Sequence, residues 1–358
     1  MGKRFVSVIA VGIACFLFWA GTCRGDYNWQ TRWVSERGRG MHNPSLYNGQ
    51  IAWSRDPDYT CWYNDLYFWD GSDVRQLTDT PWINEGSPSL YDGKIAYNAD
   101  PEGIWQNAYW DGVDYFQITS GEGKRGLPSL YDGKIAYSNK ESETDWDIYY
   151  WDSVTGETIR VCDTELYNGY PVMYENTIAW IGGEHSYDNE DDIYYWDGEN
   201  TIIIPSRCAY WKPSLYDGQI AWAEVFGYGD DTTSDIMLWN GEVKLKLTSN
   251  PGPDVQPSLF DGKIAYAAYD GHDTEIMYWD GKDFYQVTND DFDNRHPSLY
   301  ITDSGQIQLA YLRIHDWDVF EGEIVYLTSS ITEPSVILIG LNGFLCMIFF
   351  LRKPAKKA

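Results

Sequence analysis

Cysteine and basic residues are scarce in this sequence of 358 residues. It has six cysteines and no Cys-x-x-Cys spacing, so it indicates neither a disulfide framework nor a structural zinc site. Lysine and arginine together number 26 against 54 acidic residues, and residues 26–351 alone have a net charge of −35. A body this acidic repels phosphate backbones, which argues against nucleic acid as a partner.

Motifs typical of enzymes are also missing. No Gly-x-Ser-x-Gly elbow occurs, and no serine or cysteine has a recognisable nucleophile context. A hydrolase of the peptidase kind would also need an α/β domain, for which the chain has no room. The sequence leaves catalysis open but favours binding, so no catalytic residue is assigned.

Aromatic residues, by contrast, are abundant. They make up 17% of the chain, with 18 tryptophans and 29 tyrosines, and such usage is typical of β-strands. Hydrophobic residues make up 43% and charged residues 22%, so the chain can bury a sizeable core and is not disordered as a whole.

Residues 1–25 have the pattern of a secretory signal peptide. Lys3 and Arg4 precede a nearly unbroken apolar stretch at 5–20, and Gly25 is a plausible cleavage point before Asp26. An uncleaved N-terminal anchor is the alternative. Either interpretation predicts that the protein is exported.

Residues 331–358 have the order of a sorting tail. Glu333, Pro334 and Ser335 precede an apolar run at 336–351, and a basic tail ends the chain. As a helix this run would span about 24 Å, slightly less than a bilayer core of about 30 Å. The order resembles the PEP-CTERM tail of exported Gram-negative proteins.

That resemblance implies recognition by an exosortase-type sorting protease and contact with the membrane through the tail. It also implies delivery to the cell surface, the outer envelope or the extracellular matrix. A plain single-pass membrane anchor is the alternative, and the sequence does not say whether the segment is cleaved.

Internal repeats indicate the fold of the region between the two tails. The string PSLYDGKIAY occurs at residues 88–97 and again at 128–137. Variants of it begin at five further prolines: Pro44, Pro171, Pro213, Pro257 and Pro297. These seven anchor prolines are 44, 40, 43, 42, 44 and 40 residues apart, which is the period of a four-stranded propeller blade.

Each repeat can be divided into four strands. Asp-Gly or Asn-Gly pairs separate the first two strands, and such pairs are the strongest short hairpin signal. The third strands are apolar or aromatic on both faces, as expected for blades that stack face to face. We therefore predict an all-β, seven-bladed β-propeller of four-stranded antiparallel blades over residues 26–330.

The sequence also predicts how the propeller closes. The seventh repeat ends after a third strand at 323–327, and residues 29–34 precede the first anchor proline with no partner in their own repeat. We predict that 29–34 supply the missing outer strand of the last blade, which removes an open sheet edge.

The repeat unit resembles a known family. The order P-S-L-x-D-G-x-I-A-Y, then D-I-Y-Y-W-D-G, then L-T is similar to the TolB-type propeller repeat, related in architecture to WD40 repeats. The resemblance covers residues 29–330. It implies the fold strongly, but propellers of this type dock proteins, gate peptidases or support lyase sites, so it says little about function.

The residues just before the anchor prolines are expected to gather at one mouth of the central channel. They differ from copy to copy while the flanking strands follow the repeat, which points to a ligand surface. Six of them are candidate ligand-binding residues: His42, Tyr170, Trp211, Lys212, Arg295 and His296. Ordinary polar loop tips are the alternative interpretation.

Metal chemistry has weaker support in the sequence. His42 and His296 lie in adjacent blades, as in some propeller lyases of acidic sugars, but no third histidine obviously converges with them. Acidic loops at 188–192, 230–235 and 291–294 leave calcium open, although none has the spacing of an EF-hand. We predict no metal site and no cofactor.

These observations favour an exported, non-enzymatic module that binds an extracellular protein or polysaccharide. An extracellular polysaccharide lyase or hydrolase with its site at the channel mouth is the alternative. A purely structural matrix protein is the third possibility.

Overall fold

The computed structural model describes residues 27–57, 63–184, 191–207, 212–226, 233–318 and 321–329, together with the backbone of 335–341 and 344–350. Residues Trp29–Ser330 form one compact unit. The predicted signal peptide at 1–25 lies outside the described residues.

Seven four-stranded antiparallel sheets make up this unit and confirm the predicted propeller. The first strand, β1 (Gln30–Trp33), belongs to the last blade. Blade 1 contains β2 (Arg39–Tyr47), β3 (Gln50–Asp56), β4 (Asp65–Trp69) and β5 (Val74–Gln76). Blade 2 contains β6 (Glu85–Tyr91), β7 (Lys94–Ala99), a 3₁₀ turn (Pro101–Gly103), β8 (Gln106–Trp110) and β9 (Tyr115–Gln117).

The next three blades repeat this order. Blade 3 contains β10 (Ser129–Tyr131), β11 (Lys134–Lys140), β12 (Trp146–Asp152) and β13 (Thr158–Arg160). Blade 4 contains β14 (Tyr167–Tyr174), β15 (Thr177–Gly183), β16 (Asp192–Trp196) and β17 (Thr201–Ile204). Blade 5 contains β18 (Ser214–Tyr216), β19 (Gln219–Phe226), β20 (Thr233–Trp239) and β21 (Lys244–Lys246).

The last two blades complete the ring. Blade 6 contains β22 (Asp254–Phe260), β23 (Lys263–Tyr269), β24 (Thr274–Trp279) and β25 (Phe284–Gln286). Blade 7 contains β26 (Asp293–Ile301), β27 (Ile307–Asp316) and β28 (Glu321–Ser329), with β1 as its outer strand.

Strand β1 closes the propeller as the sequence predicts. It pairs antiparallel with β28, with Gln30 opposite Thr328 and Trp33 opposite Val325. Arg32 extends the connection to blade 1, because its guanidinium lies 4.8 Å from the ring centre of Trp69. The first and last segments of the unit are thus joined through one blade.

The Asp-Gly pairs of the repeat form the turns of the inner hairpins, as the sequence predicts. In blade 2, Asp92 has φ of 47° and Gly93 has φ of 74°, the two positive values that a type I′ turn requires. Glycine takes its position without steric cost, and aspartate is among the few other residues that tolerate this region.

Recurring tryptophans at the ends of the third strands pack between blades. Trp110 lies against Phe68 of the preceding blade at 5.7 Å between ring centres, and Trp239 lies against Tyr195 at 5.5 Å. Both tryptophans are buried. The aromatic excess therefore stabilises the blade interfaces through large buried areas.

The serine of the repeat ties each inner strand to the next. In six of the seven junctions its hydroxyl oxygen accepts the backbone N–H of the residue after the equivalent position in the following blade, at 2.8–2.9 Å. Blade 4 has Val172 at this position, and valine has no oxygen to accept the bond. The serines thus pair inner-strand edges that no further strand covers.

Replacing Ser129 by alanine is expected to lower the free energy of unfolding by about 1 kcal/mol, because the N–H of Met173 loses its partner. Water in the channel replaces part of the lost bond. Chemical denaturation measures the effect, and the exposed Ser120→Ala is the control, expected within about 0.5 kcal/mol of the unmodified protein. Equal stability of the two variants would contradict the role of the serines.

The backbone of the predicted sorting tail forms two strands that pair antiparallel, β29 (Ser335–Leu341) and β30 (Phe344–Phe350). No helix among the described residues has the length and apolarity needed to cross a membrane. Export and sorting by this tail stay predictions.

Candidate ligand-binding site

A cavity of about 360 Å³ lies on the propeller axis. Every blade contributes to its lining, and the lining includes six of the anchor prolines and all six of the inner-strand serines. We call its two ends the anchor mouth, where the residues preceding the anchor prolines lie, and the turn mouth, where the inner hairpins end.

The residues directly before the anchor prolines have an unusual backbone. In five blades they are non-glycine residues with positive φ: Asn43 (33°), Ser87 (50°), Tyr170 (55°), Gln256 (56°) and His296 (54°). The strand register shifts at the same points. Such bulges change the direction in which side chains point. Residues with strained backbone conformations also cluster at functional sites.

Three of the six candidate residues line the cavity. Tyr170, Lys212 and His296 come from blades 4, 5 and 7, and each directly precedes an anchor proline. His296 is held by Gln256 of the neighbouring blade, whose side-chain oxygen accepts the His296 N–H at 2.9 Å. The Nε2 atoms of the two side chains are 3.4 Å apart.

Arg295 is not among the cavity-lining residues, and its side chain contacts residues of β24 and β26 and the ring of Trp317. Its Nη2 donates to Thr274 Oγ1 at 3.0 Å and lies 3.6 Å from a carboxylate oxygen of Asp293. Its guanidinium also lies 4.8 Å from the ring centre of Trp317. The substitution Arg295→Ala would remove these contacts.

The two remaining candidates are His42 and Trp211. His42 is not among the cavity-lining residues but is close enough to His296 to influence its charge. Trp211 lies outside the described residues. Ligand contact by any of the six stays a prediction.

The cavity disfavours positive charge on its own side chains. Lys212 keeps accessible surface because it stands in the cavity, but surrounding protein atoms displace bulk water and lower the pKa of its amine. Burial lowers the pKa of His296 to about 3, and His42, Arg295 and Lys212 add repulsion. Burial also lowers the pKa of His42.

A closed ring of seven aromatic side chains surrounds the turn mouth. Neighbouring ring centres are 4.5–4.9 Å apart all the way round, and the members are Tyr47, Tyr91, Tyr131, Tyr174, Tyr216, Phe260 and Tyr300. Burial and neighbouring phenols raise the pKa of Tyr91 and Tyr131 to about 12. The hydroxyls therefore stay protonated at neutral pH.

This aromatic ring narrows the turn mouth. Seven centres at that spacing outline a circle about 5 Å in radius, and the van der Waals size of the rings narrows the opening inside it. None of the seven aromatic residues lines the cavity.

One group of carboxylates among the described residues has spacing suited to a metal ion. Asp270, Asp273 and Glu275 bring one oxygen each within 4.8 Å of one another. The Glu275 oxygens already accept hydrogen bonds, including one from the Asp290 N–H at 2.7 Å. His42 and His296 belong to no such group in the described part of the chain.

The acidic loops singled out in the sequence give no stronger support for calcium. Loops 188–192 and 230–235 lie largely outside the described residues. In the third loop, Asp293 already accepts hydrogen bonds from the Thr274 N–H and from Trp317 Nε1. Calcium binding stays a prediction.

No family model matches the chain, and no curated protein matches its sequence. Solved structures do match the fold. The β-propeller domain of the Trilobed protease from Pyrococcus furiosus aligns with a TM-score of 0.62 and 9% identity, over 82% of this chain and 94% of that one. That domain is described as having an open Velcro topology, whereas β1 pairs with β28 here.

Pyrococcus horikoshii acylaminoacyl peptidase aligns with a TM-score of 0.61 and 12% identity, over 87% of this chain. The present chain spans only 57% of that peptidase. TolB from Acinetobacter baumannii aligns with a TM-score of 0.44 and 14% identity, over 81% of this chain and 79% of that one, which is too weak to support the finer TolB-type assignment. At these identities the matches show the propeller fold alone.

Proposed function

We propose that this protein is an exported binding module that takes an extracellular protein segment or a polysaccharide at the anchor mouth of its central cavity. One observation carries the proposal. In a ring of near-identical repeats, the residue directly before the anchor proline differs in all seven blades, and in every blade it lines the cavity. Packing constrains the identity of the strand residues, whereas the residues before the prolines can vary to suit a ligand.

The geometry of the cavity supports a ligand that enters from one side. Its volume of about 360 Å³ is within the range of small-molecule pockets, roughly 300–1,000 Å³. The aromatic ring narrows the turn mouth, which favours entry of the ligand from the anchor mouth. A chain end or a single sugar unit fits such a pocket better than the middle of a folded surface.

The two tails supply the proposed location. The predicted signal peptide at 1–25 and the PEP-CTERM-like tail at 331–358 support a location outside the cytoplasm, on the cell surface or in the matrix. The sorting protease of the exosortase type is then a second partner. Both points rest on the sequence.

Variants that copy another blade test the binding site. Tyr170→Asn and His296→Asn each introduce the residue that blade 1 has at the equivalent position, where Asn43 also has positive φ. The backbone conformation is thereby kept. We expect each variant to lose at least tenfold in affinity for ligands that the unmodified propeller selects from a glycan array or a displayed peptide library.

The exposed Asp217→Asn at the turn mouth is the matched control and should bind like the unmodified protein. Thermal melts check that all variants are folded. Unchanged binding by both anchor-mouth variants would move the functional surface elsewhere. Shortening of a bound polysaccharide would replace the binding role by a lyase or hydrolase.

A further inference from the structure

Among the described residues, those that line the central cavity include no aspartate and no glutamate. The chain has 54 aspartates and glutamates, yet none lines the cavity in the described part of the protein, whereas Lys212 and His296 do. In so acidic a protein, this is a local reversal of charge. A cavity without carboxylates does not repel an anion at short range.

Hydrogen-bond donors face the same space. The six inner-strand serines each accept a backbone N–H from the next blade, which leaves the hydroxyl proton for an acceptor inside the cavity. The side-chain amide of Gln256 adds donors beside His296. Converging neutral donors and an ammonium are the groups with which proteins bind oxyanions.

Lys212 is the one lysine among the described residues that line the cavity. Surrounding protein atoms displace water from its amine and lower the pKa of that amine, and no carboxylate among the described residues opposes this effect. Lys212, His42 and Arg295 all disfavour a proton on His296. An anion in the cavity would relieve this repulsion and stabilise the charged lysine.

We propose that the central cavity is an oxyanion site, which takes a carboxylate or phosphate group of the ligand with Lys212 as its charged partner. The inference rests on the proposed function, since it names the chemistry recognised at the same mouth. Acidic sugars and the carboxyl terminus of a peptide present a carboxylate, and phosphorylated polymers present a phosphate. The shared chemistry is an oxygen anion on a group small enough to enter the cavity.

Calorimetric titration with matched sugars tests the proposal. Glucuronate and glucose differ at one carbon, which bears a carboxylate in the first and a hydroxymethyl group in the second. We expect glucuronate to bind at least tenfold more tightly near neutral pH in low salt. Inorganic phosphate is the second arm: tighter binding of phosphate than of glucuronate would assign the site to phosphorylated ligands, and the reverse would assign it to carboxylates.

Two variants taken from the repeat identify the charged partner. Lys212→Leu introduces the residue that blade 3 has at the equivalent position, Leu127, and should weaken glucuronate binding at least tenfold, or about 1.4 kcal/mol. Leu127→Lys adds a second ammonium to the cavity and should strengthen binding. The exposed Lys282→Met, with the same change of charge elsewhere, should have no effect.

The outcomes separate the two proposals. If neither anion binds, or if Lys212→Leu binds both unchanged, the oxyanion site is wrong. Loss of array ligands by Tyr170→Asn in that case would still support binding at the anchor mouth. If glucuronate binding depends on Lys212 while Tyr170→Asn keeps all array ligands, the oxyanion site stands and the wider binding surface is wrong.

Discussion

A propeller that lacks residues 26–34 is expected to melt about 10 °C or more below the intact protein and to associate at high concentration. The deletion removes β1, exposes the edge of β28 and takes away the backbone bond from the Val34 N–H to the Ile324 oxygen, at 3.0 Å. It also removes Arg32 from Trp69 of blade 1. An uncovered strand edge is a template for pairing with another chain, and several kcal/mol of lost stability correspond to a fall of this size.

Adding the strand back as a peptide provides the control. A synthetic peptide of residues 26–36 should restore the melting temperature of the truncated propeller, and a scrambled peptide should not. Deletion of residues 26–28 alone should have little effect, because β1 remains. A truncated propeller with an unchanged melting temperature would mean that β1 does not close the ring.

Asp254→Asn is expected to stabilise the propeller at neutral and higher pH, with a gain that disappears in acid. Asp254 is fully buried in β22, one of its carboxylate oxygens has no hydrogen-bond partner among the described residues, and burial raises its pKa from 3.8 to about 6. Its contribution to stability is therefore complete below about pH 4 and is lost as the pH rises through 6. This shift corresponds to about 3 kcal/mol at most.

The difference in unfolding free energy between Asp254→Asn and the unmodified protein should therefore rise between pH 4 and 7. Denaturant titrations at several pH values measure it. The fold accepts an amide at this position, because Asn168 and Asn294 occupy it in blades 4 and 7. The exposed Asp217→Asn should show no such rise, and a pH-independent difference for Asp254→Asn would contradict the buried carboxylate as its cause.

The fold was predictable because burial constrains the repeat. The strands keep their apolar residues in all seven copies, and the Asp-Gly pairs mark the turns. The segment at 29–34 has no partner in its own repeat, and the last blade is the one that lacks an outer strand. The sequence itself shows that the seventh repeat lacks an outer strand and that an additional strand precedes the first repeat.

The site was predictable only to the residue directly before each proline. Tyr170, Lys212 and His296 satisfy that rule, whereas Arg295 is one residue further away and its side chain contacts Thr274 and Trp317. Alternation along a strand sends successive side chains to opposite faces. The residue directly before the proline lines the cavity, whereas Arg295, two residues before Pro297, does not. The sequence prediction treated both positions as one surface.

The serine junctions and the aromatic ring were missed for another reason. The serine and the aromatic residue recur in nearly every repeat, so the sequence contains the pattern. Within one repeat, however, the two residues only form part of a short strand. Their partners lie in the next blade, about one repeat away along the chain, as with Ser45 and Leu90. Such a contact becomes visible only when the repeats are arranged around an axis.

The pairing of β1 with β28 also fixes how the molecule can be tethered. Gln30 and Thr328 are direct neighbours across the two strands, so the chain enters and leaves the propeller at adjacent points on the outer edge of blade 7. In an antiparallel pair such neighbours have Cα atoms about 5 Å apart. A force applied to the chain at either Gln30 or Thr328 therefore acts on the same blade.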